Sequence, residues 1–163
     1  MVVLDKIRWL LRAWRYRLIV EKDEISFLIK KLKQGQVAVD IGAHKGAYTY
    51  WMSKCVGENG KVFSFEPQPI LYKKLSRLIE KSRLNNIFLY PIAFSKSKGK
   101  TNLIIPNGSP SPSASINRDM RLNDTKIEIK TTTLDDFFCS EKNINVDYLK
   151  CDVEGHELDV FEN

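Results

Sequence analysis

The feature that most restricts how this chain can fold is the segment at residues 37–46, VAVDIGAHKG. A run rich in β-branched residues leads into Asp40, and Gly42 and Gly46 follow four positions apart. A buried parallel strand is a nearly continuous apolar run, and glycine at its carboxyl end lets a ligand approach the backbone closely. Open α/β sheets bind ligands in the crevice beyond that end. The segment therefore predicts a central strand, a tight turn and the first helix of an α/β sheet.

A second predicted strand, KVFSFEP at residues 61–67, also ends in an acid, Glu66, twenty residues after Gly46. An acid at that spacing can accept hydrogen bonds from both ribose hydroxyls of an adenosyl ligand. Asp40, placed at the mouth of the site, would repel a pyrophosphate but attract a sulfonium or amino group. The segment also lacks the three glycines of the dinucleotide fingerprint. These features favour S-adenosylmethionine over NAD, with NAD binding and a turn without a ligand as the alternatives.

The rest of the chain alternates predicted strands and helices. Helices are expected over residues 47–55 and 68–84, and a strand over 87–93 that Pro91 assigns to a sheet edge, because proline cannot donate to the ladder. Short connections between such elements imply right-handed crossovers and a mostly parallel sheet. Further strands are expected at 101–105 and 127–132. The uncharged Pro/Ser/Gly-rich segment 106–117 between them is either a flap over a substrate pocket or a plain surface loop.

A last predicted strand, VDYLKCD at residues 146–152, ends in Asp152 and is followed by Glu154 and His156. If it pairs beside the first strand, these three ionisable side chains border the same crevice as Asp40 and Gly42. The alternative is that they merely cap a helix and face solvent. Asp152 and, second, His156 are the candidates for a base that takes a proton from a hydroxyl.

The net charge of +6 is concentrated at the beginning of the chain, where residues 1–36 hold nine Lys/Arg and four Asp/Glu. Ile7, Leu11, Trp14 and Leu18 recur there at helical spacing among basic residues. We therefore divide the chain into a basic amphipathic helical segment, residues 1–35, and a sheet domain, residues 36–163. The apolar face is expected to cover the sheet domain. The alternative is that the helix docks on anionic lipid, with residues 1–20 in peripheral membrane contact, or on nucleic acid.

Composition excludes several classes of protein. A chain of 163 residues with 43% apolar and 28% charged residues is that of an ordinary globular domain, not a disordered one. Its three cysteines and two histidines show no metal-ligand spacing, so no metal is expected and the thiols indicate a reducing cytoplasm. No apolar run near the beginning is long enough for a signal peptide or a membrane span.

Three blocks in the same order carry a family resemblance: DIGAHKG at residues 40–46, FEP at 65–67 and KCDVEGHE at 150–157. In these blocks the chain resembles the FkbM family of S-adenosylmethionine-dependent methyltransferases. The resemblance extends from about residue 37 to the last residue and is supported by NNIFLYPIAFS at 85–95 and TTTLDDFF at 131–138. It implies a Rossmann-like class I methyltransferase sheet and O-methylation of a hydroxyl on a glycan or natural product. A small-molecule or glycan acceptor is thus the expected partner, and no nucleic acid is expected.

The resemblance also implies roles for individual residues. Asp40, Gly42 and Gly46, with Ala43 between the glycines, would contact the methionine part of S-adenosylmethionine. Glu66 would hold its ribose, and Asp152 would lie at the methyl-transfer end.

The chain departs from the family in length. Family members usually continue with further strands, so we expect the C-terminal strands of the family to be missing from this sequence and the last strand to be an exposed edge. A cofactor-binding remnant without catalysis is therefore the alternative function.

Overall fold

The computed structural model describes residues 2–140 and 144–162, which form two β-sheets with helices packed around them. The helices are α1 (Val2–Arg15), a π-helical turn (Tyr16–Val20), α2 (Lys22–Lys31), α3 (Ala47–Val56), α4 (Pro69–Ser82), a 3₁₀ turn (Pro106–Gly108), α5 (Leu134–Ser140) and α6 (Glu157–Phe161). The strands are β1 (Val37–Ile41), β2 (Lys61–Phe65), β3 (Ile87–Tyr90), β4 (Ile92–Phe94), β5 (Gly99–Ile105), β6 (Thr125–Thr132) and β7 (Tyr148–Cys151).

The larger sheet has the strand order β3-β2-β1-β7, and all of its pairs are parallel. Ile41 at the end of β1 is in register with Phe65 of β2 and Cys151 of β7. The carboxyl ends of three neighbouring strands therefore meet at one edge of the sheet. This arrangement confirms the predicted α/β fold and the pairing of the last strand beside the first.

The predicted strand 87–93 is wrong as a single element, because the chain changes sheets at Pro91. Residues before it form β3, the edge of the larger sheet, as the proline predicts. Residues after it form β4, which pairs in parallel with β6 in the smaller sheet, where β5 is antiparallel to β6. Proline has no backbone N–H, so the ladder of the larger sheet ends at this position.

The predicted N-terminal helix is present, but it packs through a face other than the predicted one. Trp9 and Ala13 are 3% and 0% exposed. The indole N–H of Trp9 donates to the carbonyl of Gly46 at 3.2 Å, and Trp51 on α3 donates to the carbonyl of Ala13 at 2.8 Å. The opposite face, formed by Leu4, Ile7, Leu11, Trp14 and Leu18 and hereafter the outer stripe, is between 44% and 64% exposed.

The physical reason for this correction is that α1 carries apolar residues on two opposite faces. Hydrophobic periodicity identifies a helix but does not say which of two apolar faces is buried. The face that contains Trp9 and Ala13 is the buried one, because these two residues join the core shared by α2, α3 and one side of the sheet. The boundary between residues 1–35 and 36–163 stays a prediction.

The other side of the larger sheet carries an aromatic cluster. Phe65 contacts the rings of Phe94 and Phe137 edge to face, at centroid distances of 4.6 Å and 4.9 Å. Phe137 belongs to α5, whose first turn is capped by the hydroxyl of Thr133, which accepts the N–H of Asp136 at 3.0 Å. This cluster attaches β4 of the smaller sheet to β2 of the larger one.

Candidate active site

The turn after β1 is shaped by a close approach between two strand ends. Gly42 has φ +80°, and a Cβ at this position would overlap the backbone carbonyl oxygen of Asp152 after β7. The N–H groups of Gly42 and Ala43 both donate to the carbonyl of Phe65, at 3.1 Å and 2.9 Å. Glycine is therefore required for the ends of β1, β2 and β7 to come together, and Ala43 lies directly on the cavity that they enclose.

Gly46 has a packing role below this cavity. It begins α3 with φ +74°, and a Cβ here would overlap the side chain of Leu75 and lie 3.2 Å from Nε1 of Trp9. It does not line the cavity. The second glycine of the turn therefore lets α1 and α4 pack against the start of α3.

Asp40 does not lie at the mouth of the site, contrary to the sequence-based expectation. It is fully buried, and its Oδ2 accepts the hydroxyl of Thr49 at 2.6 Å. Thr49 in turn accepts the hydroxyl of Ser64 at 3.2 Å. The side chains of β1 alternate between the two faces of the sheet, and Asp40 points under α3 instead of toward the crevice. Asp40 therefore contacts Thr49 and Lys150 beneath the cavity and does not line the cavity itself.

Lys150 on β7 connects this buried acid to the cavity. Its ammonium lies 3.9 Å from Oδ1 of Asp40, 3.2 Å from Oδ2 of Asp152 and 4.9 Å from the centre of the Tyr48 ring. Burial alone would lower the pKa of Lys150, but the two carboxylates raise it above its usual value. The lysine is therefore a charged group that orients Asp152 toward the cavity.

Glu66 lies at the end of β2 and is 2% exposed. Its Oε2 accepts the N–H of His44 at 2.7 Å, and its Oε1 accepts the N–H of Gln68 at 2.8 Å. Burial raises the pKa of Glu66 to about 7, although both hydrogen bonds oppose the shift. Each carboxylate oxygen can accept a further hydrogen bond, so Glu66 can still receive hydroxyl donors from a ligand in the cavity.

His44, in the middle of the glycine turn, was missed by the sequence analysis. It lines the cavity with φ +51°, and its Nε2 is buried without a hydrogen-bond partner. Burial lowers the pKa of His44 to about 4, with Lys45 and Arg12 adding to the shift. The imidazole is neutral at pH 7, so Nε2 is free to bond a ligand. The left-handed backbone of His44 inside the turn marks it as a site residue, and this conformation is visible only in the structure.

The three ionisable residues predicted to follow the last strand border the cavity, namely Asp152, Glu154 and His156. The Asp152 side chain is 55% exposed. His156 is 4% exposed, with Nε2 3.1 Å from the Ser95 hydroxyl and Nδ1 2.8 Å from Oδ2 of Asp159. Both ring nitrogens of His156 therefore face protein groups, whereas the Asp152 carboxylate is accessible to an acceptor.

The segment 106–117 forms the roof of the cavity. Pro112, Ala114 and Ile116 line it. Gln68 holds Ser111 by two hydrogen bonds, of 3.0 Å and 3.1 Å. Further along, the Ser115 hydroxyl donates to the Glu154 carbonyl at 2.8 Å, and the Asn117 amide donates to Gly155 at 3.1 Å. Of the two expectations for this segment, the placement over the cavity is the one that the structure shows.

The cavity beneath this roof has a volume of about 190 Å³. Its walls come from both sheets, with Phe65 and Lys150 on the larger one and Ala93 and Leu103 on the smaller one. Among the described residues, no three His, Cys, Asp or Glu side chains come together in a group able to hold a metal ion. In the same part of the chain, every helix is too short or too polar to cross a bilayer.

Comparison with known proteins identifies the family of this chain. The family described as the methyltransferase FkbM domain matches residues 40–163. The hexuronic acid methyltransferase AglP of Haloferax volcanii is 28% identical over 151 residues, which cover 91% of this chain and 59% of that protein. The ribosomal RNA large subunit methyltransferase E of Bdellovibrio bacteriovorus is 30% identical over 76 residues, covering 47% of this chain and 39% of that protein.

A solved structure supports the fold. The FkbM methyltransferase of Methylobacillus flagellatus superposes with a TM-score of 0.50 and 16% identity, over 81% of this chain and 28% of that one. This chain thus spans less than two thirds of the length of each of these relatives. The family match covers the three strand ends, the glycine turn and the residues after β7, and the chain belongs to the FkbM methyltransferase family.

Proposed function

We propose that the cavity binds S-adenosylmethionine and that the protein O-methylates a hydroxyl on a glycan or a natural product. The observation that carries this proposal is Glu66, a buried acid at the end of β2 with unused acceptor capacity toward the cavity. The Haloferax relative, named as a hexuronic acid methyltransferase, supports a sugar as the acceptor.

The residues present fit this cofactor. Glu66 can accept the ribose hydroxyls, and the buried Nε2 of His44 supplies a polar contact that no protein group satisfies. The volume of about 190 Å³ is below the roughly 300–1,000 Å³ of typical ligand sites. We therefore expect the roof segment 106–117 to move outward when the cofactor enters.

The chemistry that follows is limited to positioning and proton removal. When bound, the cofactor supplies an electrophilic methyl group on its sulfonium centre. Asp152 takes the proton that the acceptor hydroxyl releases, and Lys150 holds the carboxylate in place at 3.2 Å. His156 is the second candidate base, but its contacts with Ser95 and Asp159 assign it to positioning the loop after β7. Alignment of the two reactants supplies much of the rate.

Calorimetry with S-adenosylhomocysteine and NAD tests the cofactor. The homocysteine compound should bind and NAD should not. Glu66→Ala should weaken binding by about 1.5–3 kcal/mol, the scale of hydrogen bonds to a charged group. Glu58→Ala, which removes an exposed acid before β2, is the matched control and should bind normally. Tight binding of NAD without binding of the homocysteine compound would reject the methyltransferase proposal.

Transfer of a labelled methyl group to a panel of sugars and alcohols tests catalysis. Asp152→Asn should abolish transfer while leaving binding of S-adenosylhomocysteine within a few fold. Transfer that persists in a combined Asp152→Asn and His156→Ala variant would refute the base assignment. Binding of the cofactor product without transfer to any acceptor would favour a cofactor-binding remnant.

We also propose that the protein works in the cytoplasm, at the surface of an anionic membrane. The outer stripe is exposed, and basic residues of α1 and of the π-helical turn alternate with it along the sequence, namely Lys6, Arg8, Arg15 and Arg17. An apolar face bordered by cations suits a helix lying in the plane of an anionic lipid surface. The unpaired thiols of Cys55 and Cys151 support a reducing compartment.

A further inference from the structure

A second cavity adjoins the first on the far side of the glycine turn. It lies between α1, the turn and α4 and has a volume of about 580 Å³. Arg12, His44 and Lys45 line both cavities, so the two cavities are direct neighbours. The volume falls within the roughly 300–1,000 Å³ of small-molecule sites. We call this second cavity the basic groove.

The lining of the basic groove is strongly cationic. Asp5 is the single carboxylate among the described residues that line it. Seven Lys and Arg residues line it, namely Lys6, Arg8, Arg12, Lys45, Lys74, Arg77 and Lys81. In the part of the chain that the structure describes, none of the seven makes an ion pair with a carboxylate. The cations come from three separate elements, which the fold brings together around one space.

These cations are close enough to repel one another. Burial lowers the pKa of Lys45, and the neighbouring Arg12 and Lys74 lower it further. A fixed cluster of like charges concentrates counter-ions of the opposite sign, and Arg and Lys are the side chains that bind phosphate oxygens.

We propose that the basic groove binds the phosphate groups of an acceptor that carries a diphosphate, while the hydroxyl to be methylated lies in the neighbouring cavity. This substrate class rests on the proposed methyltransferase function. A nucleic acid is disfavoured, because single-stranded ligands are held by stacking on exposed aromatic rings. The aromatic ring in the groove, Trp9, is 3% exposed, and its indole N–H is used by Gly46.

Titration of the full chain with inorganic pyrophosphate at low salt tests the groove directly. Pyrophosphate should bind, and added salt should weaken binding by screening. Lys74→Glu combined with Arg77→Glu should lower the affinity about tenfold or more. Lys73→Glu, an exposed lysine of α4 outside the groove, is the matched control and should change it less than about twofold. No binding to the unaltered protein, or equal losses in the control, would overturn the proposal.

Binding of S-adenosylhomocysteine to the same variants separates this inference from the proposed function. The Lys74/Arg77 variant should retain it, because neither residue lines the first cavity. In transfer assays that variant should raise KM for a sugar diphosphate about tenfold and leave kcat and the KM of the uncharged sugar unchanged. If the unaltered protein binds pyrophosphate but does not bind S-adenosylhomocysteine, the proposed methyltransferase function is rejected and the anion site is not. A single-stranded oligonucleotide that binds more tightly than pyrophosphate and competes with it would overturn the diphosphate class.

Discussion

Glu66 is the residue on which cofactor recognition is proposed to depend, and its protonation is the main pH-dependent property of the site. Burial raises its pKa to about 7 in the folded protein, from 4.5 in the unfolded chain. A raised carboxyl pKa contributes stability that is fully present below the unfolded pKa and lost as pH rises through the folded pKa. The ionised form is nevertheless the better acceptor for ribose hydroxyls. Stability and affinity therefore change in opposite directions with pH.

The first prediction compares the unaltered protein with Glu66→Gln between pH 4.5 and pH 8. The free energy of unfolding of the unaltered protein should fall relative to the variant by on the order of 3 kcal/mol across this window. Affinity for S-adenosylhomocysteine should rise through about pH 7 in the unaltered protein and not in the variant. Urea denaturation and calorimetry measure the two effects. Parallel pH profiles in both proteins would contradict the assignment.

The second prediction separates two costs of replacing a glycine: the steric overlap of a new Cβ with a neighbouring group, and the strain of a left-handed backbone. It uses two glycines with nearly the same φ. Gly42 and Gly35 have φ of +80° and +81°, but a Cβ at Gly35 would meet nothing within 4 Å. Gly35→Ala should cost about 1–2 kcal/mol, the penalty of the left-handed conformation alone. Gly42→Ala should cost more, because the methyl group overlaps the Asp152 carbonyl, and it should also weaken S-adenosylhomocysteine binding. Equal losses in thermal and urea denaturation would show that the contact is unimportant.

Among the elements, α1 combines a buried face and an exposed face on one helix. Trp9 and Ala13 attach it to α3, and Trp14 packs edge to face on Trp51, with Arg17 over both rings. The other four residues of the outer stripe are not part of the described core, namely Leu4, Ile7, Leu11 and Leu18. Stability and surface binding should therefore depend on different residues of the same helix.

The third prediction uses this separation. Trp9→Ala should lower the free energy of unfolding by about 3–5 kcal/mol, because it removes a buried ring and a hydrogen bond. Leu11→Gln should change stability by less than about 0.5 kcal/mol, as Leu11 is 64% exposed. Leu11→Gln should, however, reduce co-sedimentation with anionic vesicles at low salt. Leu122→Gln, at a leucine 91% exposed outside α1, is the control. Vesicle binding that is absent, or equal in all three proteins, would reject the membrane proposal.

On the scale of the whole molecule, the two sheets form the walls of one cavity. The aromatic cluster joins them on one side, and the roof segment is tied to α4 through Gln68 and to the turn after β7 through Ser115. A ligand in this cavity contacts both sheets at once. It should therefore stabilise them together.

The fourth prediction follows from this arrangement. S-adenosylhomocysteine at one hundred times its Kd should raise the free energy of unfolding by about 2.7 kcal/mol in a single transition. NAD at the same concentration should produce no shift. Urea denaturation followed by far-ultraviolet circular dichroism and by tryptophan fluorescence makes the measurement. Two separate transitions, of which only one responds to the ligand, would show that the sheets unfold independently.

The sequence by itself determined the parallel sheet, the glycine turn and the strand-end acids, because these follow from local patterns whose spacing is set by strand and helix geometry. The edge position of the strand before Pro91 follows from local chemistry in the same way. What only the tertiary structure decided are the contacts between distant segments. Asp40 is buried under α3 with Lys150 above it, His44 faces the cavity, and Trp9 instead of Leu11 enters the core. The basic groove likewise exists only because α1 and α4 pack on either side of the glycine turn, and no local pattern encodes which faces of two helices meet.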